Sequence, residues 1–139
     1  MTGLDKISLL ASADLTAAEV ALRRIPNDDP ANSLAPSVLE LLRSHRAFMR
    51  EIYSYGRKVG LTVFQVDTFP GGHREFVSIA TYSPHSQNLK FDIESALEKI
   101  AREMQCKSMR MHTARHGLVK LSLANGWHCA EIVLRKPLP

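Results

Sequence analysis

An α+β fold, a mixed and mostly antiparallel sheet flanked by helices with a helical segment at the N-terminus, is the architecture this sequence predicts. Three observations predict it. Apolar residues recur at helical spacing in the first third and again after Asp92. Between Arg50 and Tyr82 the apolar period shortens to two, the period of a strand. Beyond the second helical region, strand-like and helix-like stretches alternate to the C-terminus.

The elements follow in order. Thr16 and Glu19 have the spacing of a capping box, in which the threonine side chain accepts from the third helical N–H and the glutamate reaches back. A helix is expected from there to about Arg24. Pro26, Pro30 and Pro36 end it, and IPNDDPANSLAPS reads as a turn-rich linker. A second helix starts near Pro36 or Ser37, with Leu39, Leu42 and Arg46 at helical spacing. REIYSYGRKVGLTVFQVDTF then predicts two strands meeting between Gly56 and Gly60. PGGHR is a turn in which Gly71 and Gly72 supply positive φ, and EFVSIATY is the third antiparallel strand. In DIESALEKIAREM, Ile93, Leu97, Ile100, Ala101 and Met104 form one stripe of a helix with Asp92 as its N-cap. CKSMRMHT is a strand. ARHGLVKLSLAN is a helix capped by Thr113 and stopped at Asn125-Gly126, and WHCAEIVLRK is a closing strand. Residues 1–45 are thus a helical N-terminal segment and 46–139 an α/β core, within one compact domain.

The chain has 139 residues, 45% of them hydrophobic, which suits one domain with its own core, since domains cluster at roughly 100 to 150 residues. No stretch approaches the roughly 18 to 20 apolar residues of a membrane span. MTGLDKISLLASAD is too polar for the apolar centre of a signal peptide, so synthesis in a cytoplasm is expected. Two cysteines, Cys106 and Cys129, do not make a disulfide framework and read as small apolar side chains. The net charge of +4 is uneven: residues 1–89 hold nine Lys and Arg against nine Asp and Glu, residues 90–139 nine against five. Without a basic run or dense aromatics, that surplus describes a solvated surface. A nucleic-acid face made of Lys107, Arg110, Arg115, Lys120, Arg135 and Lys136 is the sharper alternative.

The element order, together with MRMHTARHGLVKLSLANGWHCAEIVLRK, where Gly126-Trp127 joins a helix to a strand, resembles the GNAT acyltransferase superfamily over about residues 48 to 136. The resemblance implies a GNAT-like fold and, in active members, a loop after the third of these strands with Gln or Arg, two residues, Gly, one residue, then Gly or Ala. Its N–H groups hold the pyrophosphate of acetyl-CoA at the next helix. Here the loop is YSPHSQNLKF, which has no glycine, and Pro84 removes an N–H. Asp92 as a cap would occupy the helix donors and repel phosphate. The family's frequent general acid, a tyrosine four residues before the Gly, is replaced by Ser122, a much weaker acid than a phenol with its pKa of about 10. An asparagine often found seven residues earlier is replaced by Arg115.

With the cradle gone, the chain is similar to GNAT-like proteins encoded among the structural genes of short-tailed phages, including internal virion proteins. The expectation is therefore a non-catalytic GNAT-like protein, made in a host cytoplasm and incorporated in a tailed phage virion. Its partners would be other virion or assembly proteins, or a second copy of itself. No catalytic, cofactor-binding or metal-ligating residue is assigned on this reading, and no cofactor is expected. The alternative is an acetyl-CoA-dependent N-acyltransferase with an atypical cofactor loop, using Glu75 or His112 as base. A nucleic-acid-binding module is the second alternative.

The remaining constellations have bland readings beside the sharp ones. His112 and His116, with His128 and Cys129, are metal-ligand types, but the commoner reading is a partly buried His112 and an exposed His116. Cys106 lacks a glycine-rich elbow or oxyanion loop and reads as core. His73 and Glu75 flank a solvated hairpin. Tyr53, Tyr55, Phe64 and Phe69 would serve as a platform for stacking bases or, by default, as cross-strand packing.

Overall fold

The computed structural model describes residues 5–25, 34–84, 87–113 and 116–139. Five strands lie in the order β1 (Ser8–Ala11), β2 (Phe48–Ser54), β3 (Arg57–Thr68), β4 (Arg74–Tyr82) and β5 (Ser108–Met111). Neighbours are antiparallel except β4 and β5, which are parallel. A parallel pair needs a crossover, and here it is a 3₁₀ turn at Gln87–Leu89 followed by α3 (Lys90–Glu103). Two helices, α1 (Leu15–Arg24) and α2 (Leu34–Arg43), precede β2, and α4 (His116–Leu123) follows β5. The expected α+β architecture is the one observed.

The helices exist because each has one apolar stripe to bury. Ala18, Ala21 and Leu22 of α1 and Ala35, Val38, Leu39 and Leu42 of α2 pack with Met49, Leu61 and Val63 of the sheet into one core cluster. On the other face Ile93, Leu97, Ile100 and Ala101 of α3 pack on Ile52, Phe64 and Phe76. Phe64 and Phe76 stack with centroids 4.6 Å apart, both almost without solvent contact. The sheet is therefore sandwiched between α1 with α2 and α3. No helix among the described residues is long and apolar enough to cross a membrane.

Several expectations are corrected. Asp14, not Thr16, caps α1, accepting from the Ala17 N–H at 3.0 Å, so Thr16 lies inside the helix and Glu19 turns to Arg23 instead, 2.8 Å away. The second helix begins at Leu34, ahead of Pro36, because a first-turn residue needs no N–H partner. Asp92 is not the cap of α3: Leu89 holds that position, and Asp92, in the first turn, pairs with Lys6 at 3.1 Å. The N-terminal segment contains a strand, β1, which pairs with β2 from Ser8↔Tyr53 to Ala11↔Arg50. The closing strand does not form: residues 127–139 pair with no strand, although β5 has an open edge among the described residues, so strand propensity alone does not bring the pairing about. The Gly71-Gly72 turn is as expected, at φ 96 and 88. The linker after Pro26 falls largely outside the described residues, as do the first two residues of the predicted Ala114 helix.

Candidate functional site

The sheet splits between β4 and β5. Their pairing runs only from Glu75↔Ser108 to Ser78↔Met111. At the next residue β4 bulges: Ile79 is the extra residue between Ser78, opposite Phe64, and Ala80, opposite Val63. A bulge bends its strand and sharpens the local twist. β4 then continues to Tyr82 with β3 on one side and, among the described residues, no strand on the other. An opening lined by backbone on that edge is the result. On the α1 and α2 side it presents Ile79, Ala80 and Tyr82, partly buried against the first core.

The open end of β4 is held down by close contact with β3. Gly60 lets the Tyr82 carbonyl approach so closely that a Cβ at position 60 would lie 1.9 Å from its oxygen. Ser83 Oγ donates to the Val59 carbonyl at 3.3 Å. On the α3 face the hydroxyls of Thr62 and Thr81 are 2.9 Å apart. The chain then enters α3, whose first turn has no side-chain cap. Lys90, its first residue, has an Nζ buried from solvent with no hydrogen-bond partner among the described residues, its nearest aromatic being Phe91 at 5.5 Å from the ring centroid. A buried ammonium without an acceptor is costly, and its charge adds to the positive end of the helix dipole. That donor set fits an anionic oxygen ligand such as a phosphate. Asp92 leaves the helix donors free, because it does not cap the helix, while its carboxylate stays in the first turn and is offset there by the Lys6 ammonium.

The zipped half of β4 and β5 carries a polar network on the α1 and α2 side. Arg110 donates to Asp67 at 2.6 Å and to Glu75 at 3.0 Å. Ser108 Oγ donates to Glu75 at 2.7 Å. Its one proton is thus used, so the 2.9 Å contact with His73 Nε2 is donated by the histidine, which fixes the tautomer. Gln65 donates to the other Asp67 oxygen at 3.0 Å. Glu75 lies four residues before Ile79, about 13 Å along the strand at about 3.3 Å per residue. It stands away from the opening, with both carboxylate oxygens engaged.

His112, the other base candidate, is the first residue beyond the last β4–β5 pair, where the opening begins. Its side chain is exposed, with Nε2 3.8 Å from Glu131. The His116 side chain lies outside the described residues, and no group of three metal-ligand types occurs among those described. Ser122 is buried, and its Oγ has no hydrogen-bond partner among the described residues. Arg110, counted toward a basic face, is committed to two carboxylates. The aromatic platform is not assembled: Phe64 is buried in the core, Tyr55 sits at a turn with φ 49, and Phe69 packs on His73. Tyr53 donates to Glu51 at 3.0 Å, and Lys58 stands 3.3 Å from the same carboxylate. The Tyr53 bond, then one from Ser12, holds the Glu51 carboxyl below its usual range, against the opposing effect of burial. The same bond pushes the Tyr53 hydroxyl up.

Sequence reasoning missed Lys90, although one signal was readable: a cation opening a helix runs against the dipole rule. It had no signal for Asp67 and Arg110, which are 43 residues apart.

No family model matches the chain, and no curated protein matches it in sequence. Solved structures do match it in shape. A putative acetyltransferase from Pyrococcus furiosus has a TM-score of 0.72 at 10% identity, covering 95% of this chain and 99% of that one. Ribosomal-protein-alanine N-acetyltransferase from Brucella melitensis gives 0.69 at 16%, covering 96% and 98%. A predicted acetyltransferase from Clostridium acetobutylicum, solved with acetyl-CoA, gives 0.61 at 10%, covering 94% and 96%. These neighbours overturn the expected non-catalytic virion role, since the structures that share this shape are named acetyltransferases. They lend the phage resemblance no support.

Proposed function

We propose that this chain, whose fold is that of the GNAT acetyltransferase superfamily, is an acyl-CoA-dependent N-acyltransferase with a cofactor loop of its own. One observation carries the reading: the opening that starts at the Ile79 bulge ends at a helix N-terminus without a side-chain cap, beside a Lys90 ammonium that has no hydrogen-bond partner among the described residues. The backbone edge of Ile79–Tyr82 would pair with the cofactor's amide arm as a strand would. The first turn of α3 and Lys90 would hold its phosphates, the ammonium doing what glycine-rich N–H cradles do elsewhere. Bound acyl-CoA would supply a thioester acyl group: a C–N bond to the acceptor amine forms as the C–S bond breaks, and CoA leaves as its thiolate, which takes a proton from solvent to give the free thiol. His112, at the fork of β4 and β5, takes the proton that the amine loses. Glu131 stands 3.8 Å from the His112 Nε2. Ile79, Ala80 and Tyr82 offer a largely apolar wall, which favours the neutral, nucleophilic form of the amine.

The test combines thermal shift with acetyl-CoA and thiol release over a panel of primary amines. Stabilisation should grow with ligand, reaching roughly 2.7 kcal/mol at about 100 times Kd, with thiol release for at least one amine. Absence of both overturns the proposal. His112→Gln should lower kcat by roughly 100-fold or more while acetyl-CoA binding stays unchanged, and an unchanged kcat would remove His112 from the mechanism.

A further inference from the structure

α3 carries a carboxylate at the spacing that ordinarily closes on Lys90. Glu94 lies four residues on, and residues four apart share one helix face with about 5–6 Å between their Cβ atoms. The same spacing forms ion pairs elsewhere in this chain: Arg23 with Glu19 at 2.8 Å in α1, and Arg102 with Glu98 at 3.8 Å in α3 itself. Lys90 makes no hydrogen bond to Glu94, although its Nζ is buried and has no such partner among the described residues. The Glu94 carboxylate is engaged from outside the helix instead. Its Oε1 accepts from the Trp127 indole Nε1–H at 2.9 Å.

Trp127 is fixed by elements other than α3. Gly126, at φ 90, turns the chain after α4, and the Trp127 backbone N–H donates to the Ser122 carbonyl at 3.2 Å. The indole is therefore carried to Glu94 from the end of α4. Its ring nitrogen donates and cannot accept, so it holds a carboxylate without competing for it as a second charge. Were Glu94 to close on Lys90 instead, the ammonium would be neutralised and lost to a phosphate. We infer that Trp127 is a positioning residue for the phosphate end of the proposed acyl-CoA site, on which this inference rests: by holding Glu94 it keeps the Lys90 ammonium open to an anionic ligand. Phenylalanine in its place would keep the ring and remove the N–H that does this.

Calorimetric titration with acetyl-CoA and, separately, with inorganic pyrophosphate tests this on the wild type, Trp127→Phe, Glu94→Gln and the two changes combined. Trp127→Phe frees Glu94 to close on Lys90, so each probe that binds the wild type should bind roughly threefold more weakly or worse. Adding Glu94→Gln removes the competing charge and should restore wild-type binding, while Glu94→Gln alone should bind as well as the wild type or better. Melting curves of the ligand-free proteins read the same exchange without a cofactor. Lys90→Ala should lower the Tm of Trp127→Phe, where the Lys90–Glu94 pair has formed, and not that of the wild type. Unchanged binding in Trp127→Phe overturns the inference, as does a loss that Glu94→Gln fails to rescue, because that loss would come from disturbed packing. An equal effect of Lys90→Ala in both backgrounds overturns it too. Pyrophosphate binding without acetyl-CoA binding removes the acyl-CoA proposal and leaves Trp127 its role at an anion site, whereas a wild type that binds neither probe overturns both.

Discussion

Gly60→Ala should destabilise the protein and disturb the opening together. The added methyl would lie 1.9 Å from the Tyr82 carbonyl oxygen, 2.9 Å from its carbon and 3.0 Å from the Ser83 Cα. All three are backbone atoms, so no side chain can swing away. Ordinary carbon–oxygen contact lies well beyond 3 Å, and β3 and β4 would have to part by more than about 1 Å at their open end. Overpacking of this kind costs about 1–3 kcal/mol, and a backbone obstacle argues for the upper end. For a chain of this length that lowers Tm by roughly 10 °C, at about 3–5 °C per kcal/mol. Gly117→Ala is the control: nothing lies within 4 Å of its Cβ and it is in α4, so the same methyl should be neutral or stabilise by up to about 1 kcal/mol. Scanning calorimetry on the three proteins reads both effects. Acetyl-CoA titration should also show weaker binding for Gly60→Ala, because the displaced strand end is the proposed cofactor edge. A Gly60→Ala protein melting with the wild type would refute the close-approach argument.

Lys90→Ala should weaken acetyl-CoA binding about tenfold, which is about 1.4 kcal/mol, while leaving the free protein's Tm unchanged or higher, since it removes a buried ammonium without a hydrogen-bond partner among the described residues; calorimetric titration at two salt concentrations measures it. Arg110→Met leaves Asp67 and Glu75 facing one another without their cation, and because all three side chains retain some solvent contact the expected loss is about 1–3 kcal/mol by denaturant melting. Glu51, whose carboxyl is held low chiefly by Tyr53, contributes stability that is present above the ordinary carboxylate range and lost as pH falls through its lowered value. Glu51→Gln should therefore flatten the acid limb of Tm against pH. Tyr53 is shifted upward by the same bond, so its contribution is present below the ordinary tyrosine range and lost as pH rises through the raised value. Tyr53→Phe should flatten both limbs, and unchanged pH profiles in both variants would dismiss the pair.

Residue patterns made several elements legible. The stripe from Ile93 to Ala101 is buried as its spacing requires, and Gly71-Gly72 turns where glycine pairs turn. The Gly126-Trp127 signature pointed to the fold that the solved structures share. Other features were not local. β1 is four residues without a pattern of its own, and only its pairing with β2 makes it a strand. The tail from Trp127 has every local mark of a strand, yet it is not paired with the open β5 edge and so does not become one. The site inference failed for the same reason. Asp92 had the chemistry of a cap, but the 3₁₀ turn at Gln87–Leu89 starts the helix earlier and sends its carboxylate to Lys6.

By itself, then, the sequence determined which segments are helical, where the antiparallel strands turn, and that YSPHSQNLKF lacks the glycines of a phosphate loop, because these depend on side-chain periodicity and on backbone torsions within a few residues. Only the tertiary structure could show which groups stand around that loop. The split of β4 from β5 at Ile79 and the burial of the Lys90 ammonium at the start of α3 arise from contacts between segments far apart in the chain. Charge burial and strand pairing exist only once those segments meet.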